Sequence, residues 1–308
     1  MKNNALVLTL CFKHGIRQGG LVGDVNRQEK GLNASSIWGG LGWACDSLFG
    51  PLRTEEIIRS CRLSSLLWRC EGQWFVPAPV VPIKGLSFDQ ARRARKLSWV
   101  PVDSLGPMLA GVDVPEAVEL FVEDVTVSAA LDRTTNAAVP YYRRRIVPRN
   151  GVEGVIVTEG PEEMLEDLSK AFFLMGDNGL GGERSSGWGV FRPGKIEAGH
   201  TPFASLLENE GFRYLTLGSF LPAGDEIEKV ESMEDPAGYT LYRQRGFVGE
   251  TDVIKPTVVS IGPGSLLDFR PEGCLLDITP PATGHPVIFN GRTPSIAVKT
   301  LPSERGWE

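Results

Sequence analysis

The chain has 308 residues, of which 42% are hydrophobic, so it can form one large domain or two of ordinary size. A formal net charge of -6 argues against a protein that holds nucleic acid by overall positive charge, and no apolar run approaches the roughly 20 residues of a membrane-spanning helix. The five cysteines are odd in number and lack the spacing of a zinc knuckle, which indicates reduced thiols, a cytoplasmic location and neither a metal site nor a cofactor.

The first half of the chain predicts strands and helices in the order β-α-β-β-α-β. This is the order of the ferredoxin-like fold, whose sheet is the RNA-binding surface in the common RNA recognition motif. The basic residues 92–96 lie between the first predicted helix and the strands that follow it, and they are expected on a helix or on a hairpin arm. They indicate either a thumb-like projection or a solvated basic face. The predicted elements are a strand at 5–13, a helix at 35–49, two strands within 139–157 joined by a turn at 149–151, a helix at 161–175 and a strand at 189–196.

After residue 200 the pattern restarts with short strands and little helix, at 213–220, 239–244, 257–261 and 287–289. We therefore expect an α+β protein with tandem ferredoxin-like (RRM-like) domains, long insertions and a glycine-rich loop. The N-terminal domain, residues 1–197, would carry the thumb-like insertion and the loop. The C-terminal domain, residues 198–308, would be a β-rich, degraded version of the first.

The most informative stretch of the chain is residues 176–189, Gly-Asp-Asn-Gly-Leu-Gly-Gly-Glu-Arg-Ser-Ser-Gly-Trp-Gly. Glycines tolerate positive φ and expose backbone N–H groups that bind anions, and Arg184 adds a guanidinium suited to phosphate. Trp188 offers a ring for stacking, although tryptophan is more often a core residue. The loop follows a helix and lacks Gly-Lys-Ser/Thr, so it is neither a dinucleotide fingerprint nor a phosphate loop of nucleotide hydrolases. It suggests a nucleic-acid contact, or else a flexible connection without a ligand.

Residues 179–189 resemble the glycine-rich loop of the RAMP superfamily of CRISPR proteins. Further segments resemble one branch of it, the handle-capping (Cas-five-like) subunit of the type III-A Csm effector complex, and they cover nearly the whole chain in order. The equivalent subunit of the type III-B Cmr complex is a close relative of that branch. The segments are residues 13–15, 47–50, 75–79, 96–101, 133–136 with 141–142, 239–245 and 284–287.

This resemblance implies a ribonucleoprotein subunit of antiviral defence that grips the 5′ repeat-derived handle of crRNA. It also implies docking on the large cyclase-like subunit on one side and on the backbone RAMP subunit on the other, with an architectural and non-catalytic role. The expected RNA-binding residues are His14, Arg17, Arg133, Thr134, Thr135, Asn136, Tyr141, Arg143, Gly181, Gly182, Glu183, Arg184, Ser185 and Ser186.

Two of these expectations leave alternatives open. Arg184 contacts phosphate, or it forms a salt bridge that shapes the loop. In the strand through residues 141–145, alternation places Arg143 and Arg145 on one face and Arg144 on the other, so not all three arginines reach RNA.

The rival function is a metal-independent crRNA-processing endoribonuclease, with His14 as the general base after the first strand. No matched acid is visible in the sequence, and the resembled branch does not process RNA. A weaker third alternative is a regulatory protein that binds a free nucleotide at the glycine-rich loop.

Overall fold

The computed structural model describes residues 4–18, 31–81, 83–135, 137–198, 213–234, 237–249 and 251–298. Within these ranges the protein is a mixed α/β structure, and its paired strands are antiparallel. None of the helices in the described ranges has the length and apolarity needed to span a bilayer.

The helices are α1 (Ala34–Phe49), α2 (Pro51–Ser60), α3 (Phe88–Ala94), α4 (Leu105–Leu109), α5 (Glu162–Asn178) and α6 (Glu226–Glu231). The strands of the first half are β1 (Asn4–Phe12), β2 (Arg62–Leu63), β3 (Leu67–Cys70), β4 (Gln73–Pro77), β5 (Trp99–Pro101), β6 (Phe121–Leu131), β7 (Ala138–Pro148), β8 (Val152–Gly160) and β9 (Phe191–Ala198). Those of the second half are β10 (Arg213–Thr216), β11 (Leu241–Gln244), β12 (Val258–Ile261), β13 (Leu266–Leu267), β14 (Leu275–Asp277), β15 (Ile288–Asn290) and β16 (Ser295–Val298).

The central sheet has the strand order β5-β4-β3-β8-β1-β9, and β2 also pairs with β8. One face packs against α1 and α5, where Leu8 and Ile156 of the sheet meet Ile37 and Phe172 of the helices in one core. Helix α1 begins because the side chain of Asn33 accepts a hydrogen bond from the Ser36 N–H at 2.8 Å, which satisfies one of the free amides of the first turn.

The opposite face of the sheet is covered by the second half of the chain. Val7 and Val157, which point away from the helices, pack with Leu215, Leu217 and Ile296 in a second core. Strands buried on both faces read as continuous apolar runs, as in the Val-Ile-Val stretch of β8. Both faces of this part of the sheet are therefore covered, unlike the open sheet face that binds RNA in the common RNA recognition motif.

The predicted pairing of the two strands within 139–157 is wrong. Strand β7 pairs with β6 instead, from Phe121 opposite Pro148 to Leu131 opposite Ala138, and the two form a separate two-stranded arm. The turn after Pro148 leads the chain from this arm into β8 of the central sheet. The expected β-α-β-β-α-β order still holds, with a different strand in the third place. Strand β3, rather than β7, pairs with β8, so the order runs β1, α1, β3, β8, α5 and β9.

The other predicted elements agree with the structure in position. The basic stretch begins in the last turn of α3, which a Ser87 capping box starts, and continues past its end, because only Arg92 and Arg93 lie within the helix. The four strands predicted in the second half correspond to β10, β11, β12 and β15. Among the elements that the sequence did not predict are α2, β6, β13, β14 and β16. The tandem ferredoxin-like arrangement and the domain division at residue 197 stay predictions.

Candidate nucleic-acid interface

The glycine-rich loop has a fixed shape that only glycine permits at two positions. Gly181 has φ +86° and Gly189 has φ +75°, in the left-handed region that other residues rarely adopt. A Cβ atom at either position would also lie within 3.0 Å of backbone, the Arg17 carbonyl for Gly181 and Leu180 for Gly189. Glycine therefore allows the loop to close on itself and on its neighbour.

That neighbour is the segment that follows β1. The Gly182 N–H donates to the Arg17 carbonyl at 2.8 Å, and the Gly189 N–H donates to the Gly15 carbonyl at 3.0 Å. The segment with His14 and the glycine-rich loop, which are far apart in sequence, thus form one surface. This brings together two of the predicted groups of site residues.

Glu183 joins three segments through its carboxylate. It accepts hydrogen bonds from Arg17 Nη1 at 3.2 Å and from Arg143 Nη1 of β7 at 2.8 Å. Its own backbone is left-handed, with φ +62° and ψ +29°. The side chains of Arg17 and Arg143 are only 13% and 18% exposed, so these guanidinium groups are bound within the protein.

Trp188 lies beneath the arm and is 5% exposed. The guanidinium carbons of Arg143 and Arg145 lie 5.1 and 5.0 Å from its ring centroid, in the range of cation–π contacts. Arg145 Nε also donates to Asp124 of β6 at 2.7 Å. Trp188 is therefore a packing residue rather than an open stacking surface, and the prediction that Arg143 and Arg145 share a face is confirmed.

The polar groups left exposed at this surface are Lys13, His14, Gly182, Ser185 and Ser186. The space above the Gly182 Cα is open, since an added Cβ would meet its nearest atom at 3.8 Å. Backbone, hydroxyl, imidazole and ammonium groups of this kind are the usual partners of phosphate and sugar. Arg184 is half-buried and takes part in an interaction within the chain.

The arm carries the remaining predicted residues away from the loop. Tyr141 is 44% exposed and pairs with Ser128, on the face of the arm that also bears Arg143 and Arg145. Arg133, Thr134 and Thr135 form the tip of the arm. They lie beyond Ala138, the first residue of β7, which is five residues and therefore about 16 Å from Arg143 at roughly 3.3 Å per residue. Asn136 lies outside the described residues. The candidate residues thus form a loop group and a tip group, joined by one face of the arm.

The tip is ordered by Asp132. Its carboxylate accepts the Thr134 N–H at 2.8 Å and the Thr135 hydroxyl at 2.8 Å. The Thr134 backbone hydrogen bond, with support from Thr135, lowers the pKa of Asp132. The negative charge at the tip therefore holds the two threonines in one turn.

Strand β6 also belongs to this candidate interface, although none of its residues was expected there from the sequence. Thr126 and Ser128 lie opposite Arg143 and Tyr141 and share their face of the arm. The strict alternation of Val125, Thr126, Val127 and Ser128 is the strand signal that could have found them. Over the described ranges, no group of three His, Cys, Asp or Glu side chains is arranged to hold a metal ion.

Comparisons with known proteins agree with the resemblance noted in the sequence. The family model described as the CRISPR Csm4 C-terminal domain matches residues 209–298. The CRISPR system Cms protein Csm4 of Mycobacterium tuberculosis (strain CDC 1551 / Oshkosh) is 28% identical over 289 residues, which cover 86% of this chain and 91% of that protein.

Two solved structures share the fold over almost the whole chain. A Csm1-Csm4 cassette in complex with cA4 contains a chain that matches with a TM-score of 0.67 and 16% identity, covering 98% of this chain and 100% of that one. A Csm3-Csm4 subcomplex of the type III-A CRISPR-Cas interference complex contains one that matches with a TM-score of 0.66 and 15% identity, covering 96% and 99%.

In its fold, its glycine-rich loop and these matches, the chain is similar to RAMP-superfamily proteins of CRISPR systems. Within that class it resembles Csm4, the Cas5-like RAMP subunit of the type III-A Csm complex.

Proposed function

We propose that this protein is a non-catalytic subunit of a type III CRISPR interference complex that grips the 5′ repeat-derived handle of crRNA. The observation that carries the proposal is the surface formed by the glycine-rich loop and the segment after β1, continued along one face of the arm. A tandem ferredoxin-like architecture and a cytoplasmic ribonucleoprotein belong to the same proposal.

The loop group supplies the grip on the RNA backbone. Because Gly182 is exposed and has no side chain, a phosphate can approach the backbone there, with Ser185 and Ser186 as hydroxyl donors and Lys13 as a cation. The partly buried ion pairs of Glu183 with Arg17 and Arg143 fix the loop before RNA arrives. A preformed surface binds RNA without the free-energy cost of ordering it.

The arm extends the contact toward its tip. Thr126, Ser128 and Tyr141 offer hydroxyl groups on one face, and Thr134 and Thr135 lie at the end. RNA that follows this face is held at two places separated by several nucleotides. A handle held in this way fixes the register of the guide, which is the purpose of a cap.

The proposed partners are the large cyclase-like subunit and the backbone RAMP subunit. Support comes from the solved structures with this fold, one in a Csm1-Csm4 cassette and the other in a Csm3-Csm4 subcomplex. We infer that this chain occupies the corresponding place between the two partners in its own complex.

The alternative function is that of an endoribonuclease, because His14 is exposed and available as a general base. His14 makes no hydrogen bond to another described residue, so nothing there orients its ring as a general base. The test is incubation of labelled repeat–spacer RNA with the protein and with H14A, in the presence of a chelator. Intact RNA with both proteins supports the binding role, whereas a discrete cut that H14A abolishes would establish the nuclease.

A further inference from the structure

A hydrogen-bond network inside the protein connects the segment after β1, which carries part of the proposed RNA surface, to the second half of the chain. Its first member is Gln18, the residue that follows Arg17. The Gln18 side chain accepts the Asn33 N–H at 2.6 Å and donates to the Tyr242 hydroxyl at 3.3 Å. One carboxamide therefore joins three parts of the chain, which are the segment after β1, the start of α1 and strand β11.

A second carboxamide reinforces the same connection. Gln244 of β11 accepts a hydrogen bond from the Ser35 hydroxyl at 2.7 Å, and its amino group donates to the hydroxyls of Ser219 at 2.7 Å and Ser260 at 3.0 Å. Ser35 lies in the first turn of α1, two residues after Asn33. Because the oxygen and the nitrogen of the Gln244 amide are both bonded, this amide holds β11 against the start of α1.

Neither carboxamide is placed to contact RNA itself. Gln18 and Gln244 are each 7% exposed, and Ser219 and Ser260 are buried more deeply still. A buried polar network whose members are all bonded favours a single arrangement, because any group that lost its partner would stay unsatisfied away from water. The network therefore acts by fixing the position of its neighbours.

The neighbour that bears on RNA binding is the segment of residues 13–17. Its carbonyls accept hydrogen bonds from the glycine-rich loop, and Ile16 exchanges two backbone hydrogen bonds with Ile146 of β7. Gln18 ties the end of this segment to α1 and β11. The place of Arg17 against the glycine-rich loop thus depends on the second half of the chain as well as on the arm.

We propose that Gln18 is a positioning residue for RNA binding, through which β11 and the start of α1 keep residues 13–17 in place against the glycine-rich loop. The inference rests on the proposed function, because it concerns the same RNA surface. It gives the second half of the chain, which supplies none of the loop group, a part in the affinity of that group for RNA. Tyr242 acts through its hydrogen bond to Gln18.

The test is the affinity of the full chain for handle RNA in the variants Q18M and Y242F. Methionine keeps the length and packing of Gln18 but removes both hydrogen bonds, whereas phenylalanine removes only the hydroxyl of Tyr242. We expect affinity to fall about fivefold in Q18M and about twofold in Y242F, the scale of one lost hydrogen bond and of part of one. Affinities are measured well below the thermal midpoint of each variant.

Two matched controls remove the same chemical groups elsewhere. The Gln90 side chain accepts the Ser87 N–H at 2.9 Å at the start of α3, and Tyr239 is 43% exposed. Neither residue belongs to the network. Q90M and Y239F should therefore bind handle RNA as tightly as the wild type.

A second readout separates positioning from a general loss of structure. G182D removes the contact that the segment supports, so adding Q18M should leave the affinity as it is in G182D. A fall in the folded fraction would instead lower the affinity by the same factor in both backgrounds. Hydrogen exchange makes the same distinction. The Gly182 amide, which donates to the Arg17 carbonyl, should exchange faster in Q18M, while the amides of β8 stay unchanged.

Two results overturn the inference. One is an affinity for handle RNA that neither Q18M nor Y242F changes. The other is a loss of affinity in Q18M that has the same size in the G182D background, which assigns Gln18 to stability alone. If Q18M does not fold, Y242F in the two backgrounds decides between these results. Handle binding by the wild type that G182D weakens leaves the proposed function standing in either case, whereas absence of handle binding by the wild type removes both.

Discussion

The carboxylate of Glu183 and the guanidinium of Arg143 lie 40 residues apart in sequence and 2.8 Å apart in space. This ion pair ties the glycine-rich loop to the arm, and the second oxygen of Glu183 holds Arg17 of the segment after β1. Since the arginine side chains are less than one-fifth exposed, the pairs are shielded from solvent. One acidic side chain thus fixes the relative positions of the surfaces proposed to hold RNA.

Replacement of Glu183 by Gln should therefore loosen this surface. The amide keeps one acceptor but removes the negative charge that faces two largely buried guanidinium groups, so we expect the free energy of unfolding to fall by about 1–3 kcal/mol. Urea denaturation measures the change, and hydrogen exchange of the β7 amides reports whether the arm is released.

Glu56→Gln is the matched control for this variant. Glu56 pairs with Arg53 at 3.0 Å, but its side chain is 60% exposed, and such a pair contributes little to stability. An E183Q variant as stable as E56Q, with unchanged exchange of the β7 amides, would show that Glu183 does not hold the arm to the loop.

Gly182 and Gly181 are adjacent but should respond differently to substitution. Gly182→Asp places a negative charge on an exposed, open position, so we expect a folded protein with RNA affinity at least tenfold lower. Gly181→Ala introduces a Cβ at φ +86° against the Arg17 carbonyl, and we expect it to destabilise the protein by about 1–3 kcal/mol.

Affinity for handle RNA and the thermal midpoint, measured together, separate the two effects. Gly182→Ala serves as the control, because it adds a methyl group where there is room and no charge. RNA affinity that is the same for G182D and G182A would remove this position from the interface.

The salt dependence of RNA binding should reveal the exposed cations. Each phosphate contact to a single strand contributes about −0.7 to the slope of log K against log salt. Lys13→Ala should make this slope shallower by about that amount, whereas Lys229→Ala, in α6 and paired with Asp225, should leave it unchanged. A slope that K13A does not alter would exclude Lys13 from phosphate contact.

The turn at the arm tip should respond to acid. The pKa of Asp132 is lower in the folded protein than its ordinary value of about 3.9, because the Thr134 N–H and the Thr135 groups stabilise the charged form. The contribution of the turn is therefore complete above the unfolded pKa and is lost as pH falls through the folded pKa.

Amide chemical shifts of Thr134 and Thr135 measured between pH 6 and pH 2 follow this transition. Asp132→Asn, which carries no titrating carboxyl, is the control and should abolish it. A wild-type midpoint above the ordinary pKa of aspartate would contradict the hydrogen-bonded turn.

The sequence predicted local structure well and strand pairing poorly. The helical period placed α1 and α5, and the glycine-rich loop was found from its composition. The pairing of β7 with β6 was missed because β7 and β8 are separated by a turn that equally fits a hairpin, and the partner β6 carries acidic residues that resemble a solvated face. Pairing depends on contacts distant in sequence, which local pattern does not encode.

The candidate site shows the same division. Glu183, Arg143 and Arg17 were among the RNA-binding residues expected from the resemblance, but only the structure shows that they bind one another. Trp188 could be a stacking residue or a core residue, and the structure places it in the core beneath Arg143 and Arg145. The structure thus separates the expected RNA-binding residues into exposed ones, such as Gly182 and Ser185, and partly buried ones that bind one another, such as Glu183 and Arg143.

The most direct test of the central claim is the affinity of the protein, alone and with its large partner subunit, for crRNA with its own handle and with a scrambled handle of equal composition. We expect tight, handle-dependent binding with the RNA intact, weakened by G182D. Equal affinity for both RNAs, or binding that G182D leaves unchanged, would contradict the central claim.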